Sequence, residues 1–465
     1  MDLSKCQIFT PTDTVKYMLD KIDYTNNLFG KRIIDNSCGT GNILIEVVKR
    51  FIADAKKSKK RKATIKRGLE SCIFGCDVDP KMVESCIKNL NAVAEHTGLF
   101  DVQWNIFNMD GLYLNDPAAF DFVVGNPPYI AYADLDTETR QKTRDNFSSC
   151  ALGKFDYSYA FIEKGLSLLR NNGKMAIIAP SNMFKTVFGN NLRQLIKNEL
   201  IEIIDCSAIN VFENVLTAPA ITIYQKGSNS NILVYKEKQP CNIEREKFID
   251  KSQLVDKWDF TGFIAKGSRN FGDYFKVSNS IATLANKVFI HNVNEDGTLN
   301  ISVEPSVLRP AKSPKTEQYQ ITQKIIFPYR YADTTLVHYE EDEFKAQFPL
   351  AYEYLDSQIE VLKARDSDTK AKWFEYGRSQ ALAHLNCEKL LMSTIITHKV
   401  RLYKLDADTI PYSGLYIIPR GELTLDTAFT ILKSQHFYDY LLSKGVKERG
   451  DSIRISSKDV EEYKF

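Results

Sequence analysis

The 465-residue sequence predicts an α/β fold: a mostly parallel, seven-stranded sheet with helices on both faces over residues 1–240, then an α+β domain over 241–465. Three observations carry this expectation. Short apolar runs alternate with amphipathic helical stretches from residue 8 to about 226, the pattern of repeated βα units. The first of those units places a glycine-rich turn between its strand and its helix. The fourth strand runs into Asn126-Pro127-Pro128-Tyr129, which can neither continue a strand nor begin a helix. Beyond residue 245 the alternation is lost, and no topology follows from the residues.

Taken in order, Thr10-Pro11 reads as an N-cap and first helical position, and Val15, Met18, Leu19 and Ile22 then form one apolar face. Residues 32–35 form a short strand, 36–42 the turn and 43–51 a helix. Residues 55–68 carry eight lysines and arginines, expected to be a solvated face or loop, with a phosphate-contacting patch as the alternative. The second strand ends at Asp77, and Val78-Asp79-Pro80 opens the next helix. The third strand ends at Asp110, and residues 121–124 form the fourth. An amphipathic helix over 157–170, stopped by Asn171-Asn172-Gly173, precedes a fifth strand at 174–180. A helix near 189–198, strands at 201–206 and 220–224, and a loop around Phe212 between them complete the series. The polar cluster at 227–231 is the expected boundary.

Composition narrows the class further. With 43% hydrophobic and 26% charged residues the chain is an ordinary soluble protein. No apolar run has the length of a membrane span, and the first residues do not read as a signal peptide. Nine cysteines, with no C-x-x-C pair, argue for reduced thiols in a cytoplasmic protein, and against disulfides or a zinc site. A net charge of +2 gives no reason in bulk to expect a nucleic-acid partner.

Gly39-x-Gly41 alone is weak, but the strand before it, the helix after it and the acid ending the next strand give it weight. An acid in that place can accept both hydroxyls of a ribose. A third glycine and a P-loop lysine are both missing, which favours a nucleoside ligand without a pyrophosphate. The Asn126–Pro127–Pro128–Tyr129 loop is more specific. Two adjacent prolines remove two donors and fix two φ angles, leaving an amide, free carbonyls and one ring at the carboxyl end of a strand. Such a loop suits activation of a conjugated exocyclic amine. If the Asn126 amide oxygen and the Pro127 carbonyl accept its two N–H groups, the nitrogen lone pair is freed for attack without a general base. Tyr129 would stack on the ring.

With these motifs in this order, residues 8 to about 226 resemble the gamma-class S-adenosylmethionine-dependent DNA adenine-N6 methyltransferases of bacterial restriction–modification systems. The resemblance implies a Rossmann-like methyltransferase domain followed by a target-recognition domain. It implies that Thr10, Asp35 and the backbone at Cys38, Gly39 and Gly41 hold the methionine part of S-adenosylmethionine. Asp77 would hold its ribose, Asp110 its adenine amine, and Phe161 would pack on its adenine. Asn126, Pro127 and Tyr129 would be catalytic, with Tyr129 and Phe212 gripping the flipped base. Arg378, Lys399, Arg401 and Arg454 would be phosphate or guanine contacts. The implied partners are double-stranded DNA and a separate cognate restriction endonuclease, because no nuclease-like segment precedes Thr10-Pro11. Methylation of RNA or of a protein glutamine, and an inert DNA-binding protein, are the alternatives.

Overall fold

In a computed structural model, residues 9–212, 218–238, 244–333, 335–379, 381–448 and 452–465 are described. Two compact units emerge. The first runs to Phe260 and takes in the stretch returning at Val446; the second holds most of the remainder, from Thr261.

The first unit is built on helices α1 (Thr12–Lys21), α2 (Asn42–Lys57), α3 (Lys62–Cys72), α4 (Pro80–His96), α5 (Thr137–Asn146), α6 (Ser158–Leu168) and α7 (Asn190–Ile196). Its strands are β1 (Ile33–Asp35), β2 (Ile73–Asp77), β3 (Asn105–Asn108), β4 (Phe120–Gly125), β5 (Leu169–Pro180), β6 (Leu200–Asp205), β7 (Pro219–Gln225), β8 (Ile232–Lys238) and β9 (Glu244–Asp250). They form one nine-stranded sheet in the order β3-β2-β1-β4-β5-β7-β6-β8-β9. The pairs from β3 through β5 are parallel, β7 runs antiparallel to both β5 and β6, and β8 lies parallel to β6.

The alternation of side chains explains why helices cover both faces. Ile33 and Val124 belong to the core built with α1, α2 and α4, whereas their neighbours Ile34 and Val123 belong to the core built with α6 and α7. The order places β1 between β2 and β4, so the carboxyl ends that carry Asp77, Asp35 and Asn126 stand side by side.

Three expectations need correction. The sheet has nine strands, not seven, because the chain beyond the 227–231 cluster returns as β8 and β9, which pair in full antiparallel register. The first unit therefore extends past residue 240, to Phe260. α1 starts at Thr12, with Pro11 as an extended N-cap residue at ψ 145°, so Thr10 lies outside the helix and caps nothing. The helix after Tyr157 ends at Leu168, and the Asn171-Asn172-Gly173 segment is part of β5. The basic stretch of 55–68 spans the end of α2, the turn at 58–61 and the first part of α3, with most of its cations exposed.

In the second unit, two four-stranded sheets accompany two separate cores. Their pairings span long separations, as where Phe275 meets Pro419. Among the described residues no helix is long and apolar enough to cross a membrane.

At the end of β6, buried Asp205 accepts hydrogen bonds from Lys447 Nζ (2.8 Å), Ser207 N (2.8 Å) and Tyr235 Oη (2.6 Å). The Lys447 ammonium and these donors outweigh burial and hold its carboxyl below the ordinary value. Breaking a buried pair costs about 3–5 kcal/mol, and the part-exposed Lys447 brings this nearer 2. Asp205→Ala should therefore destabilise the chain by on the order of 2 kcal/mol near pH 7 in urea unfolding. A depressed native pKa contributes stability above the ordinary carboxyl range and loses it as pH falls below that range, so wild type and variant should converge on acidification.

Candidate active site

The site is assembled from the carboxyl ends of β1, β2 and β4, the loop after β3 and one helix. β1 ends at Asp35 and the chain turns through Asn36–Gly41 into α2. Gly41 is the N-cap residue in the left-handed region, φ 85° and ψ 20°. A Cβ there would also stand 2.6 Å from Cys86 Sγ on α4, so this position requires glycine twice over. Gly39, at φ 52°, has nothing within 4 Å of where a Cβ would be.

Asp77 fixes this turn. Its Oδ2 accepts from Gly39 N at 2.9 Å and its Oδ1 from Asp79 N at 2.9 Å. Asp79 in turn caps α4 by accepting from Lys81 N, with Pro80 in the first turn. Each Asp77 oxygen keeps lone-pair capacity for a further donor. Asp110 caps the short helix Gly111–Tyr113 through Leu112 N at 3.0 Å. Burial raises its carboxyl pKa, against the Leu112 hydrogen bond and the Lys142 charge. Asp35 is only 1% exposed and accepts from Ser37 N at 3.1 Å. Burial is the main reason its pKa rises to about 7, with the charge of Asp77 adding and the Ser37 bond opposing. The Cys38 thiol is raised first by its hydrogen bond with Cys86 and then by burial, so it stays protonated.

One cleft gathers Thr10, Asp35, Cys38, Gly39, Asp77, Asp110, Phe161 and Asn126 along its walls. With about 900 Å³ of empty space, open mouth included, it has the size of a cofactor site. Gly41 lies behind the turn. Phe161 is buried on α6 and meets Tyr157 edge to face at 5.5 Å.

Of the loop from Asn126 to Tyr129, Asn126 and Pro128 reach the cleft wall. Tyr129 turns away from the cleft, its hydroxyl donating to the Ile178 carbonyl at 3.1 Å. Its ring meets Phe212 edge to face, 6.3 Å between centroids. Phe212 is buried at 6% exposure, so these two rings form a closed aromatic pair beside the cleft.

Several wall residues had been given no role from the sequence, among them Asn36, Met82 and Gly111. Gly111 had a legible signal, an Asp-Gly step at a strand end. A Cβ on it would strike the Asn36 carbonyl oxygen at 2.1 Å, so only glycine lets that loop cross the end of β1. In the second unit, Arg378 is held by Asp368 (2.8 Å) and Asp366 (3.1 Å), and Arg401 donates to Gln318 at 2.8 Å. Phe374, Glu375 and Tyr376 of the same segment are core residues, whereas Lys399 is exposed.

Residues 77–212 match the model of the Eco57I restriction-modification methylase family. That match lies within the first unit. The chain is 24% identical over 504 residues to the Type II restriction enzyme and methyltransferase RM.Eco57I of Escherichia coli, covering 86% of this chain and 50% of that protein. It is 24% identical over 507 residues to the Type II methyltransferase M.BstVI of Geobacillus stearothermophilus, covering 97% and 88%. The chain thus spans half of one relative and most of another. Among solved structures, the Type IIL restriction-modification enzyme MmeI in complex with DNA gives a TM-score of 0.66 at 14% identity, over 97% of this chain and 65% of that one. The DrdV–DNA complex gives 0.54 at 11%, over 95% and 52%. These two likenesses concern the fold.

The buried Asp35 carboxyl yields a prediction. Its folded pKa, near 7, exceeds the ordinary unfolded value, so between about pH 4 and 7 the native state holds a proton the unfolded state has lost. Its contribution to stability therefore falls as pH rises through that window. Asp35→Asn should stabilise the ligand-free protein, by at most about 4 kcal/mol, with a gain that grows from pH 5 to pH 8 in urea titrations. A gain independent of pH would show that the carboxyl is ionised throughout.

Proposed function

We propose that the chain is an S-adenosylmethionine-dependent, site-specific DNA methyltransferase that modifies N6 of an adenine extruded from the duplex, the modification activity of a restriction–modification system. The observation that carries this reading is the juxtaposition of Asn126, at the end of β4, with the glycine turn and Asp35 at the end of adjacent β1.

The cleft's own residues fit the cofactor. Gly39 presents open space to it, Asp77 and Asp110 stand at successive strand ends, and a buried aromatic face is supplied by Phe161. S-adenosylmethionine, when bound, supplies an activated methyl group on a sulfonium. Every other requirement falls on the protein. Asn126 accepts one N–H of the target amine through its amide oxygen, and the Pro127 carbonyl accepts the other. Those two bonds draw the nitrogen toward tetrahedral geometry, so its lone pair can be directed at the electrophile. The Pro127-Pro128 pair stiffens the loop and keeps the acceptors in place before the base arrives. Tyr129 and Phe212 provide the rings that hold the base.

A base inside the stack cannot reach Asn126, so extrusion is required, at a cost of a few kcal/mol. The second unit is assigned to target recognition on the strength of the relatives' length and of the DNA-bound MmeI and DrdV folds. A restriction endonuclease activity is the counterpart this reading implies. Phosphate contacts should make binding depend on salt.

Transfer of labelled methyl groups to duplex DNA, with N6-methyladenine as the product after digestion, tests the reading. Asn126→Ala should lower turnover by at least a hundredfold while cofactor affinity changes less than about threefold. Label found only in protein, or N4-methylcytosine as the sole product, refutes the reading.

A further inference from the structure

The side chain of Asn36 poses a question that the motif residues do not answer. It lies in the cleft wall, is 2% exposed, and neither its Oδ1 nor its Nδ2 has a hydrogen-bond partner. Buried amides are satisfied in the great majority of cases, and an orphan donor and an orphan acceptor on one side chain are costly together. Two glycines wall the residue in. A Cβ on Gly111 would stand 3.1 Å from Asn36 Cβ and still closer to its carbonyl oxygen. A Cβ on Gly125 would stand 3.7 Å from Asn36 Oδ1 and 3.5 Å from Asp35 Oδ1. The amide oxygen and an Asp35 carboxyl oxygen therefore both lie near Gly125, the residue that precedes Asn126.

We propose that the Asn36 amide receives the amino-acid head of the cofactor, accepting from its ammonium and donating to its carboxylate. This rests on the proposed cofactor. The group that satisfies Asn36 must offer a donor and an acceptor close together. The head offers both as full charges, and the neighbouring Asp35 carboxylate favours its ammonium. The ribose and the adenine amine are matched by Asp77 and Asp110, at the ends of other strands. Asn36 thereby fixes the tail of the cofactor beside the loop that presents the target amine.

Calorimetry on the full chain without DNA tests this, using S-adenosylhomocysteine and 5′-methylthioadenosine, which shares the nucleoside and thioether but lacks the head. Asn36→Ala should weaken S-adenosylhomocysteine about ten- to a hundredfold, the loss of charge-assisted hydrogen bonds, and leave 5′-methylthioadenosine within twofold. Asp77→Ala should weaken both alike. Because the alanine removes polar atoms that have no partner, the ligand-free melting temperature should stay level or rise. Equal weakening of both ligands, an unchanged S-adenosylhomocysteine affinity, or a lower ligand-free melting temperature overturns the inference. Should the alanine variant not fold, Asn36→Asp keeps the shape and exchanges the amide donor for an acceptor, and the same contrast between ligands is expected. Failure of the wild type to bind either ligand would instead remove the cofactor reading itself.

Discussion

One carboxylate holds the candidate site in shape. Asp77 uses one oxygen for the amide of Gly39 and the other for the amide of Asp79. The first bond fixes the turn leaving β1, and the second fixes the entry to α4, whose Cys86 closes against Gly41. Two βα units are thereby locked to each other at the edge where their strands end. The parallel sheet sets the strand ends side by side, but it does not determine the path of the loops above them. Asp77 does that with two backbone bonds, and backbone donors are insensitive to the side chains around them.

The cost of this arrangement appears in the groups beside it. Asp35 is buried with its pKa raised, Asp110 is raised for the same reason, and Asn36 has no partner for either end of its amide. A core selected only for stability would replace such groups with apolar ones. Their concentration on one wall of one cleft is what a binding site looks like before its ligand supplies the missing interactions. Cys38 behaves differently: its thiol is hydrogen-bonded with Cys86 and held protonated by that bond and by burial, so it fills space. Chemistry on this wall is therefore positional and electrostatic.

What the sequence made legible follows from the range of the interactions involved. β1, β2 and β4 announce themselves through short apolar runs, and the Asp79-Pro80 start of α4 through its cap, because each signal lies within a few residues. The turn glycines and the ring of Phe161 were legible because motif order stands in for geometry. Thr10 was placed one residue too far in, since a proline preceded by a threonine normally reads as a cap, and here Pro11 is itself the N-cap. β8 and β9 were missed because a polar turn cluster marks a domain boundary and a strand reversal equally well. In the second unit, strands of two to five residues pair across separations that reach from Phe275 to Pro419, so no local period records their partners. Arg378 illustrates the same limit: its charge was visible, but the two aspartates that hold it were not visible as partners.

The pairing of Tyr129 with Phe212 gives the loop a meaning that its sequence alone lacks. Phe212 is buried, Tyr129 is partly buried, and the Tyr129 hydroxyl is tied to the backbone of β5. An aromatic pair that is to grip a third ring between its members must separate first. Edge-to-face contact of this kind contributes only about 0.5–1.5 kcal/mol beyond burial, so separation is affordable once an extruded base replaces it with two stacked faces. The acceptors at Asn126 and Pro127 carry no such requirement, because the proline pair fixes the backbone that presents them. On the proposed function, the rigid half of the loop would serve the chemistry, and the half that must rearrange would serve the fit of the base.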